Sequence, residues 1–386
     1  MSRERLLAAS AIALAVGLMV GCESSESSSQ IGLALGSSKP TAKTQPGMAR
    51  PLTGTAQRPR GAGISLFGEL TDSTKIPFAG RAARGLQRHT FTREGADFDP
   101  GLDPTGRLLI FASTRHTRRP DIYIKAVGGS AVTQLTDDPA SEVQPEITAD
   151  GKRVAFASDR SGNWDIWVTS IDGQNTQQVT KSPKAEIHPS WSPDGKRLVY
   201  CALNDQTRQW ELWVADLGKP GTQKFIGYGL FPCWSPKDEV IAFQRARARG
   251  TRWFSIWTIQ LVDGEPRYPT EVASSSDQAL IAPAWTADGK KIVYCSVRTG
   301  PGAEASVQGS TSRGDVWVTD VNGLGKIRLT QGDAVNYSPA CAPDGRVYFA
   351  SNRSGFENIW SIVPVVSPAP MADARTTGKS PAAANP

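Results

Sequence analysis

Short apolar runs separated by polar turns fill residues 100–360, and the pattern recurs six times. Each copy opens with a proline and carries a glycine, or in one copy an aspartate, six residues later. These pairs are Pro100 and Gly106, Pro145 and Gly151, Pro189 and Gly195, Pro232 and Asp238, Pro283 and Gly289, and Pro339 and Gly345. An apolar run with one aromatic residue follows each turn. Because glycine accepts positive φ and aspartate tolerates it, the pattern predicts two antiparallel strands joined by a tight turn.

A third apolar run ends each copy in an apolar residue followed by an aromatic one, as at Ile122-Tyr123 and Ile166-Trp167. Most copies add a more polar fourth run, such as Gln134-Leu135-Thr136. Four short strands that recur every 43 to 56 residues are typical of β-propeller blades. We therefore predict an all-β protein, a six-bladed β-propeller built from four-stranded antiparallel blades.

The sixth copy is one strand short, because Pro364 and the Pro/Ala-rich segment after it cannot supply a ladder strand. A matching run precedes the first copy, where residues 88–92 (Arg-His-Thr-Phe-Thr) have the pattern of residues 326–330. A ring closed by its N-terminal strand removes an open edge that would template aggregation. We predict a propeller over residues 86–363, closed by residues 86–92, and a disordered Pro/Ala-rich tail over residues 364–386.

Two stretches resemble the propeller repeat of the TolB family: Pro-Ser-Trp-Ser-Pro-Asp-Gly-Lys from Pro189, and the run from Phe156 to Trp167. The resemblance covers residues 86–363. It implies a scaffold role in the bacterial cell envelope, where the family's namesake engages a peptidoglycan-associated lipoprotein. That namesake carries an α/β domain ahead of its propeller. The segment between Cys22 and Leu86 has no alternating helix and strand pattern, so the resemblance is to the propeller alone.

The first residues have the pattern of a bacterial export signal. Arg3 and Arg5 precede an apolar stretch from Leu6 to Val20, which is too short for a membrane span. The stretch ends in Gly21-Cys22, which resembles a lipobox and implies acylation of the cysteine. We predict a lipoprotein-type signal peptide over residues 1–21 and a lipid anchor at Cys22. An ordinary cleaved signal and an uncleaved anchor are the alternatives.

Residues 22–85 are rich in Ser, Gly, Pro, Thr and Ala, and such a composition cannot bury enough apolar surface to fold. The net charge of the chain is +6, and residues 39–88 hold nine basic and two acidic residues. The basic excess therefore belongs to this segment. We predict a disordered basic tether that either lies on anionic lipid or polysaccharide or is a solvated linker.

Candidate catalytic groups are sparse. The chain has three histidines, His89, His116 and His188, and their predicted places do not converge into the ligand set of a zinc or manganese centre. His188, directly before Pro189, is the candidate that faces the central channel. The chain also has no Gly-x-Ser-x-Gly elbow of a hydrolase. We therefore predict no enzymatic activity, no metal and no cofactor.

The acidic residues of the turns are spread one per blade and are not clustered as paired catalytic acids. Their predicted role is turn geometry. The residues concerned are Asp150 and Gly151, Asp194 and Gly195, Asp288 and Gly289, and Asp344 and Gly345.

Four cysteines lie within the predicted propeller: Cys201, Cys233, Cys295 and Cys341. An exported protein meets an oxidising environment, so pairing of Cys201 with Cys233 or of Cys295 with Cys341 is open. Side-chain alternation points Cys233 and Cys341 to opposite faces, so at most one of these pairs fits a shared geometry. Buried free thiols that act as small core residues are the favoured interpretation.

Binding residues are expected in the loops, where the copies differ. The connections between second and third strands emerge on one face, and three of them are basic or long. The candidates are Arg115, His116, Arg118 and Arg119 in blade one, Arg245, Arg247, Arg249 and Arg252 in blade four, and Arg298 and Arg313 in blade five. A basic rim indicates an anionic partner, and solvated arginines without a partner are the alternative.

Taken with the resemblance, these features predict an exported, lipid-anchored propeller that faces the periplasm or the cell surface. Its expected partner is an envelope protein, such as a peptidoglycan-associated lipoprotein, or an anionic polysaccharide. We expect a monomeric propeller, and the predicted export excludes nucleic acid. The alternative function is a lyase or hydrolase that acts on an acidic glycan through the central channel. Lyases that resemble TolB in their repeats depend on a histidine-rich metal centre.

Overall fold

The computed structural model describes residues 83–246, 254–298 and 314–365. Within these ranges every regular element is a β-strand, and the strands form six four-stranded antiparallel sheets. The innermost strands of successive sheets pack against one another, and those of the sixth and first sheets also meet. The prediction of a six-bladed β-propeller is confirmed. The predicted signal, the anchor at Cys22, most of the tether and most of the C-terminal tail lie outside the described residues.

The chain enters the ring through β1 (Ala83–Arg88) and then builds the blades in order, each from the centre outwards. Blades one to three consist of β2 (Asp97–Leu102), β3 (Leu108–Ser113), β4 (Asp121–Ala126), β5 (Thr133–Gln134); β6 (Glu142–Ile147), β7 (Arg153–Ser158), β8 (Asp165–Ser170), β9 (Gln177–Gln178); and β10 (Glu186–Trp191), β11 (Arg197–Leu203), β12 (Trp210–Asp216), β13 (Gln223–Tyr228). Blades four to six consist of β14 (Leu230–Trp234), β15 (Val240–Ala246), β16 (Phe254–Val262), β17 (Glu265–Ala273); β18 (Gln278–Trp285), β19 (Lys291–Arg298), β20 (Gly314–Asp320), β21 (Ile327–Arg328); and β22 (Asn336–Cys341), β23 (Val347–Ser351), β24 (Asn358–Pro364).

The N-terminal strand completes the sixth blade, as predicted. β1 pairs antiparallel with β24, which gives the order β1-β24-β23-β22. The register lies two residues earlier than the sequence match indicated. The Thr90 hydroxyl accepts the N–H of Ile359 at 2.9 Å, as the Thr330 hydroxyl accepts the N–H of Val316 at 2.9 Å. Thr90, rather than Thr92, therefore takes the place of the threonine that ends the other blades.

The second strand of each blade carries the core. In β7, for example, all residues from Val154 to Ser158 are buried. A strand covered on both faces by neighbouring blades has no solvent side, so its sequence is a continuous apolar run rather than an alternating one. The central aromatic residues of these strands are all buried: Phe111, Phe156, Tyr200, Phe243, Tyr294 and Phe349.

Each innermost strand carries a β-bulge at its repeat proline. The ladder register shifts there in all six blades. The residue before the proline has a φ of 47° to 57°, the left-handed region that costs a residue with a side chain about 1–2 kcal/mol. Bulges change the direction of side chains, and here they bring one residue per blade to the central channel. These pre-proline residues are Asp99, Gln144, His188, Phe231, Ala282 and Ser338.

The turns between first and second strands share one geometry. In five of them a glycine has a φ of 65° to 82°: Gly106, Gly151, Gly195, Gly289 and Gly345. In the four Asp-Gly turns the aspartate accepts a hydrogen bond from the backbone N–H two residues after it, at Asp150, Asp194, Asp288 and Asp344. In this structure the Asp-Gly pairs shape the turns.

Candidate functional site

A cavity of about 820 Å³ occupies the centre of the ring. It extends from the pre-proline residues to the turns between first and second strands, where Asp103, Lys237 and Asp288 contribute to its lining. The six repeat prolines form much of its wall, together with Trp191 and Trp285. A cavity of this size suits a drug-sized ligand or a short segment of a partner.

Contacts between pre-proline residues link five adjacent blades at one end of the cavity. The Ser338 hydroxyl donates to Asp99 Oδ1 at 2.7 Å, and Asp99 also accepts the backbone N–H of Gln144. Gln144 Oε1 accepts the N–H of His188 at 2.9 Å. The His188 ring packs on Phe231 with centroids 3.8 Å apart. Because each contact crosses a blade boundary, this chain of contacts holds the pre-proline residues at this end of the cavity in one arrangement.

The contact with Gln144 sets the tautomer of His188. Gln144 Oε1 faces the His188 backbone, so the amide nitrogen of Gln144 is the atom 2.8 Å from His188 Nε2. That amide donates, so Nε2 holds a lone pair and the ring proton lies on Nδ1. Among the described residues Nδ1 has no hydrogen-bond partner. Burial lowers the pKa of His188 to about 3, and the ring is therefore neutral.

Four carboxyl groups line the cavity: Asp103 and Asp288 lie at its turn end, whereas Asp99 from blade one and Glu146 from blade two lie on innermost strands. The backbone N–H of Trp191 donates to Glu146 Oε1 at 3.3 Å, and the Ser190 hydroxyl also bonds this carboxyl. Burial raises the pKa of Glu146 to about 7 and that of Asp99 to about 6. The groups that oppose this rise are neutral hydrogen-bond donors, so no cation of the described chain stabilises either carboxylate.

Arg115, a candidate for partner binding, turns into its own blade. Its guanidinium bonds the buried carboxylate of Asp97 at 2.9 Å. It also lies over the rings of Phe111 and Tyr123, with centroid distances of 5.2 and 5.0 Å. Arg115 therefore has an intramolecular role in this structure.

The same arrangement recurs in blades two and six. Arg160 bonds Glu142 at 3.2 Å and Arg353 bonds Asn336 at 2.6 Å, and each guanidinium lies over two aromatic rings of its blade. In all three blades the arginine stands two residues after the serine that ends the second strand. This Ser-x-Arg spacing is the sequence signal that separates Arg115 from the basic residues after it.

The remaining basic candidates of blade one are exposed on the loop between β3 and β4, namely His116, Arg118 and Arg119. Arg245 in blade four is also exposed, and its guanidinium lies 5.3 Å from the centre of the Trp257 ring. Arg298 is the last residue of β19. The other candidates, Arg247, Arg249, Arg252 and Arg313, lie outside the described residues.

The four cysteines of the propeller are free thiols. Cys201 and Cys295 are fully buried in second strands, whereas Cys233 and Cys341 line the cavity. Burial raises the pKa of all four thiols, which keeps them protonated and weakly nucleophilic at neutral pH.

Two kinds of feature are absent from the described ranges. No group of three or more His, Cys, Asp or Glu side chains is placed there to hold a metal ion. The part of the chain that the structure describes also has no helix with the length and apolar character needed to cross a membrane.

The sequence pattern indicated His188 as a channel residue but not its neighbours Asp99, Gln144 and Glu146. The signal was present in the alignment of the six copies on their prolines. The positions directly before and after the proline vary from copy to copy, while the turn and core positions repeat. Variation within a repeated scaffold was the indication that these two positions face the channel.

Fold and site together define a six-bladed β-propeller with a central cavity of ligand size. The chain matches the family model of the TolB beta propeller domain over residues 82–260 and 163–305. Since these matches together cover more than half of the chain, the protein belongs to the TolB beta propeller domain family.

Solved structures share this fold at low sequence identity. A protein of Agrobacterium tumefaciens assigned as TolB matches with a TM-score of 0.53 and 19% identity, covering 73% of this chain and 97% of that one. TolB from Acinetobacter baumannii matches with a TM-score of 0.51 and 16% identity, covering 64% of this chain and 57% of that one. These similarities concern the fold alone.

A curated relative adds a partial match. An uncharacterized protein of Agrobacterium fabrum is 29% identical over 109 residues, which is 28% of this chain. The match spans 31% of that relative, so about a third of its length is comparable.

Proposed function

We propose that the protein is a binding propeller of the bacterial envelope, held by a lipid at Cys22, that captures an envelope protein or an anionic polymer. The observation that carries the proposal is the exposed basic group on one face of the ring. Arg118 and Arg119 project from the connection between β3 and β4 in blade one, and Arg245 lies near the end of β15, the second strand of blade four. Cationic groups at separate positions around one rim fit an extended anionic surface.

The arginines of the blade-one loop differ in their partners, and this difference supports the proposal. Arg115 is neutralised by Asp97 at 2.9 Å, and its charge is directed into the blade. Arg118 and Arg119 have no ion pair among the described residues. Their charge is therefore available to attract an anionic partner, and solvent and salt screening limit the attraction to short range.

The predicted anchor and tether fit the same function. A lipid at Cys22 would place the propeller at a membrane, and the long basic segment after it would let the ring reach partners away from the lipid surface. A partner in the envelope is then within reach while the anchor remains in the membrane.

The test is photocrosslinking of the full-length chain in intact cells. A photocrosslinking residue in place of exposed Thr117, beside Arg118, is expected to capture a partner, whereas the same residue in place of Lys196 on the opposite face is not. The double change Arg118→Glu and Arg119→Glu should lower the crosslink yield at least fivefold. The matched reversal Lys152→Glu and Lys196→Glu, which alters exposed turn residues, should leave it unchanged. Equal loss in both doubles, or no crosslink at Thr117, would exclude the basic face as the binding surface.

The enzymatic alternative, a lyase or hydrolase of acidic glycans, has its own discriminating test. It requires His188 or the cavity acids to act on the substrate. Incubation with acidic oligosaccharides should then give cleavage products that the wild type forms and His188→Ala does not. The binding proposal expects no cleavage by either protein.

A further inference from the structure

Asp99 and Glu146, the two carboxyl groups that the innermost strands bring to the central cavity, lack the arginine partners that Asp97 and Glu142 have. Asp97 and Glu142 each bond an arginine, at 2.9 and 3.2 Å. Asp99 and Glu146 take part in no ion pair among the described residues, although both line the cavity wall. Asp99 is buried and Glu146 is partly buried, and because both line an open cavity, a counter-charge from outside the chain can reach them.

Glu146 differs from the residues at the equivalent position of the other repeats. The residue after the repeat proline is small in the other five blades: Gly101, Ser190, Cys233, Ala284 and Ala340. Small residues leave the middle of the cavity open, and Glu146 is the one acid on this level. Gln144, two residues before Glu146 on β6, bonds Asp99 through its backbone N–H, so both carboxyls belong to one side of the wall.

Apolar residues make up much of the remaining wall, including the repeat prolines, Ala282, Ala284 and Trp285, whereas Lys237, Asp103 and Asp288 lie at its turn end. The rings of Trp191 and Trp234 already have arginine partners, because Arg153 and Arg197 lie 4.8 and 4.9 Å from their centres. A ligand would therefore place its charge at the carboxyls and its apolar part against the prolines and Trp285.

We propose that the cavity binds an organic cation, an ammonium or guanidinium group on an apolar stem, with Glu146 as the main counter-charge and Asp99 as the second carboxyl. The volume of about 820 Å³ accommodates a small free amine or the end of a lysine or arginine side chain of a partner. This site is built from the innermost strands and is separate from the basic loops. It stands or falls independently of the partner proposed for those loops.

The binding should strengthen as pH rises. A cation pairs with the ionised carboxylate, and the pKa of Glu146 in the empty cavity is about 7. Below this pH the carboxyl is largely protonated, so a cation must displace a proton to bind. Of the other titratable groups that line the cavity, Asp99 with a pKa of about 6 acts in the same direction, while His188 at about 3 and Cys233 at about 12 do not titrate between pH 5.5 and 8. Asp103 and Asp288, whose pKa values are lowered, stay ionised over this range, and Cys341, whose pKa is raised by burial, stays protonated. Lys237 is the cationic side chain of the lining and lies at the turn end.

The experiment measures binding of agmatine, cadaverine and a blocked lysine peptide to the full-length protein by calorimetry at pH 8 and pH 5.5. Cadaverine acetylated on both nitrogens and glutarate serve as neutral and anionic controls. At least one cation should bind at pH 8, and Glu146→Gln should weaken it about tenfold or more, the scale of one lost charged hydrogen bond. Affinity of the wild type should fall at pH 5.5, and Glu146→Gln should flatten this dependence.

Matched variants separate charge from structure. Glu146→Gln keeps the shape and hydrogen-bonding capacity of the side chain, so the ring should fold, and Glu146→Asp should retain part of the binding. Lys196→Glu, an exposed change outside the cavity, should bind cations as the wild type does. Binding of agmatine or cadaverine assigns a free amine as ligand, and binding of the lysine peptide alone assigns a side chain of a partner. Absence of binding by all three cations at pH 8, equal binding of the neutral control, or unchanged affinity in Glu146→Gln would overturn the proposal.

Discussion

Arginines three residues apart in one loop have opposite roles in this protein. Arg115 stacks on Phe111 and Tyr123 and bonds Asp97, whereas Arg118 is exposed. The difference arises at the start of the innermost strand, where Asp97 is fully buried and needs a cation. At the scale of single residues, a loop arginine indicates partner binding only if it is not already paired with a buried acid of the same blade.

The buried pair of blade two gives a test of this role. Arg160→Ala removes the cation from Glu142, which is fully buried, and should lower the free energy of unfolding by about 2 kcal/mol at pH 8. Burial raises the pKa of Glu142 to about 7, so the carboxyl is largely protonated in the folded state at pH 5.5. Removal of the arginine then lowers the free energy of unfolding by less. The loss in the variant should therefore be larger at pH 8. Urea unfolding at both pH values measures it.

The control for Arg160→Ala is Arg118→Ala, in which an exposed arginine is removed and the change should stay within about 0.5 kcal/mol. A loss in Arg160→Ala that is no greater than in the control, or that is the same at both pH values, would show that the pair does not carry the proposed charge compensation.

At the scale of elements, the ring depends on one pairing between distant parts of the chain. β1 pairs with β24 across more than 250 residues of sequence. Directly after β1, the N–H of Ile359 donates to the Thr90 hydroxyl at 2.9 Å, and these two residues are 269 positions apart. The equivalent bond of blade one, from Ile122 to Thr136, joins residues 14 apart. The same local motif thus closes a short loop in one blade and the whole ring in another.

The closing strand should open when its threonine bond is removed. Thr90→Val keeps the shape of the side chain but leaves the buried N–H of Ile359 without its acceptor, at a cost of about 1–3 kcal/mol. Amide hydrogen exchange is expected to accelerate along β1 and β24, because loss of this pairing frees a chain end. Thr136→Val is the matched control, and its faster exchange should stay within blade one. Acceleration spread evenly over all blades in both variants would contradict a closing role for Thr90.

At the scale of the whole molecule, the structure separates two surfaces. The basic loops follow the second strand of their blades, whereas the cavity extends to the turns that precede the second strands. The two surfaces therefore lie at opposite ends of the second strands. Antiparallel strands place these two kinds of connection on opposite faces of a propeller. A ring with two such surfaces can hold one partner at its rim and a small cation at its centre.

The proposed anchor is tested on the full-length chain in cells. Cys22→Ala should abolish incorporation of a labelled fatty acid and shift the protein from the detergent phase to the aqueous phase, because several acyl chains hold a protein on a membrane durably and none remains in the variant. Ser24→Ala, two residues further on, is the control and should partition as the wild type does. Fatty-acid labelling that persists in Cys22→Ala would place the modification elsewhere.

The sequence by itself determined the architecture of this protein. Proline, Asp-Gly and a central aromatic residue at fixed offsets are local features, and local turn chemistry with buried apolar runs is sufficient to define a blade. Six copies and one unmatched strand then required a closed ring. The closing strand was found in this way, although its register, two residues earlier at Thr90, depends on a bond to Ile359 that no local pattern reveals.

Only the tertiary structure decided which side chains meet. The cavity brings Asp99, Glu146 and His188 together from three blades, and a bulge with positive φ directs two of them to the channel. Burial, and with it the pKa of each group, depends on all neighbours at once, including residues far away in the chain. For the same reason the Ser-x-Arg spacing marks Arg115 in the sequence, but its pairing with the buried Asp97 is decided by the tertiary structure. Local chemistry specifies the blades, and the packing of blades against each other specifies the site.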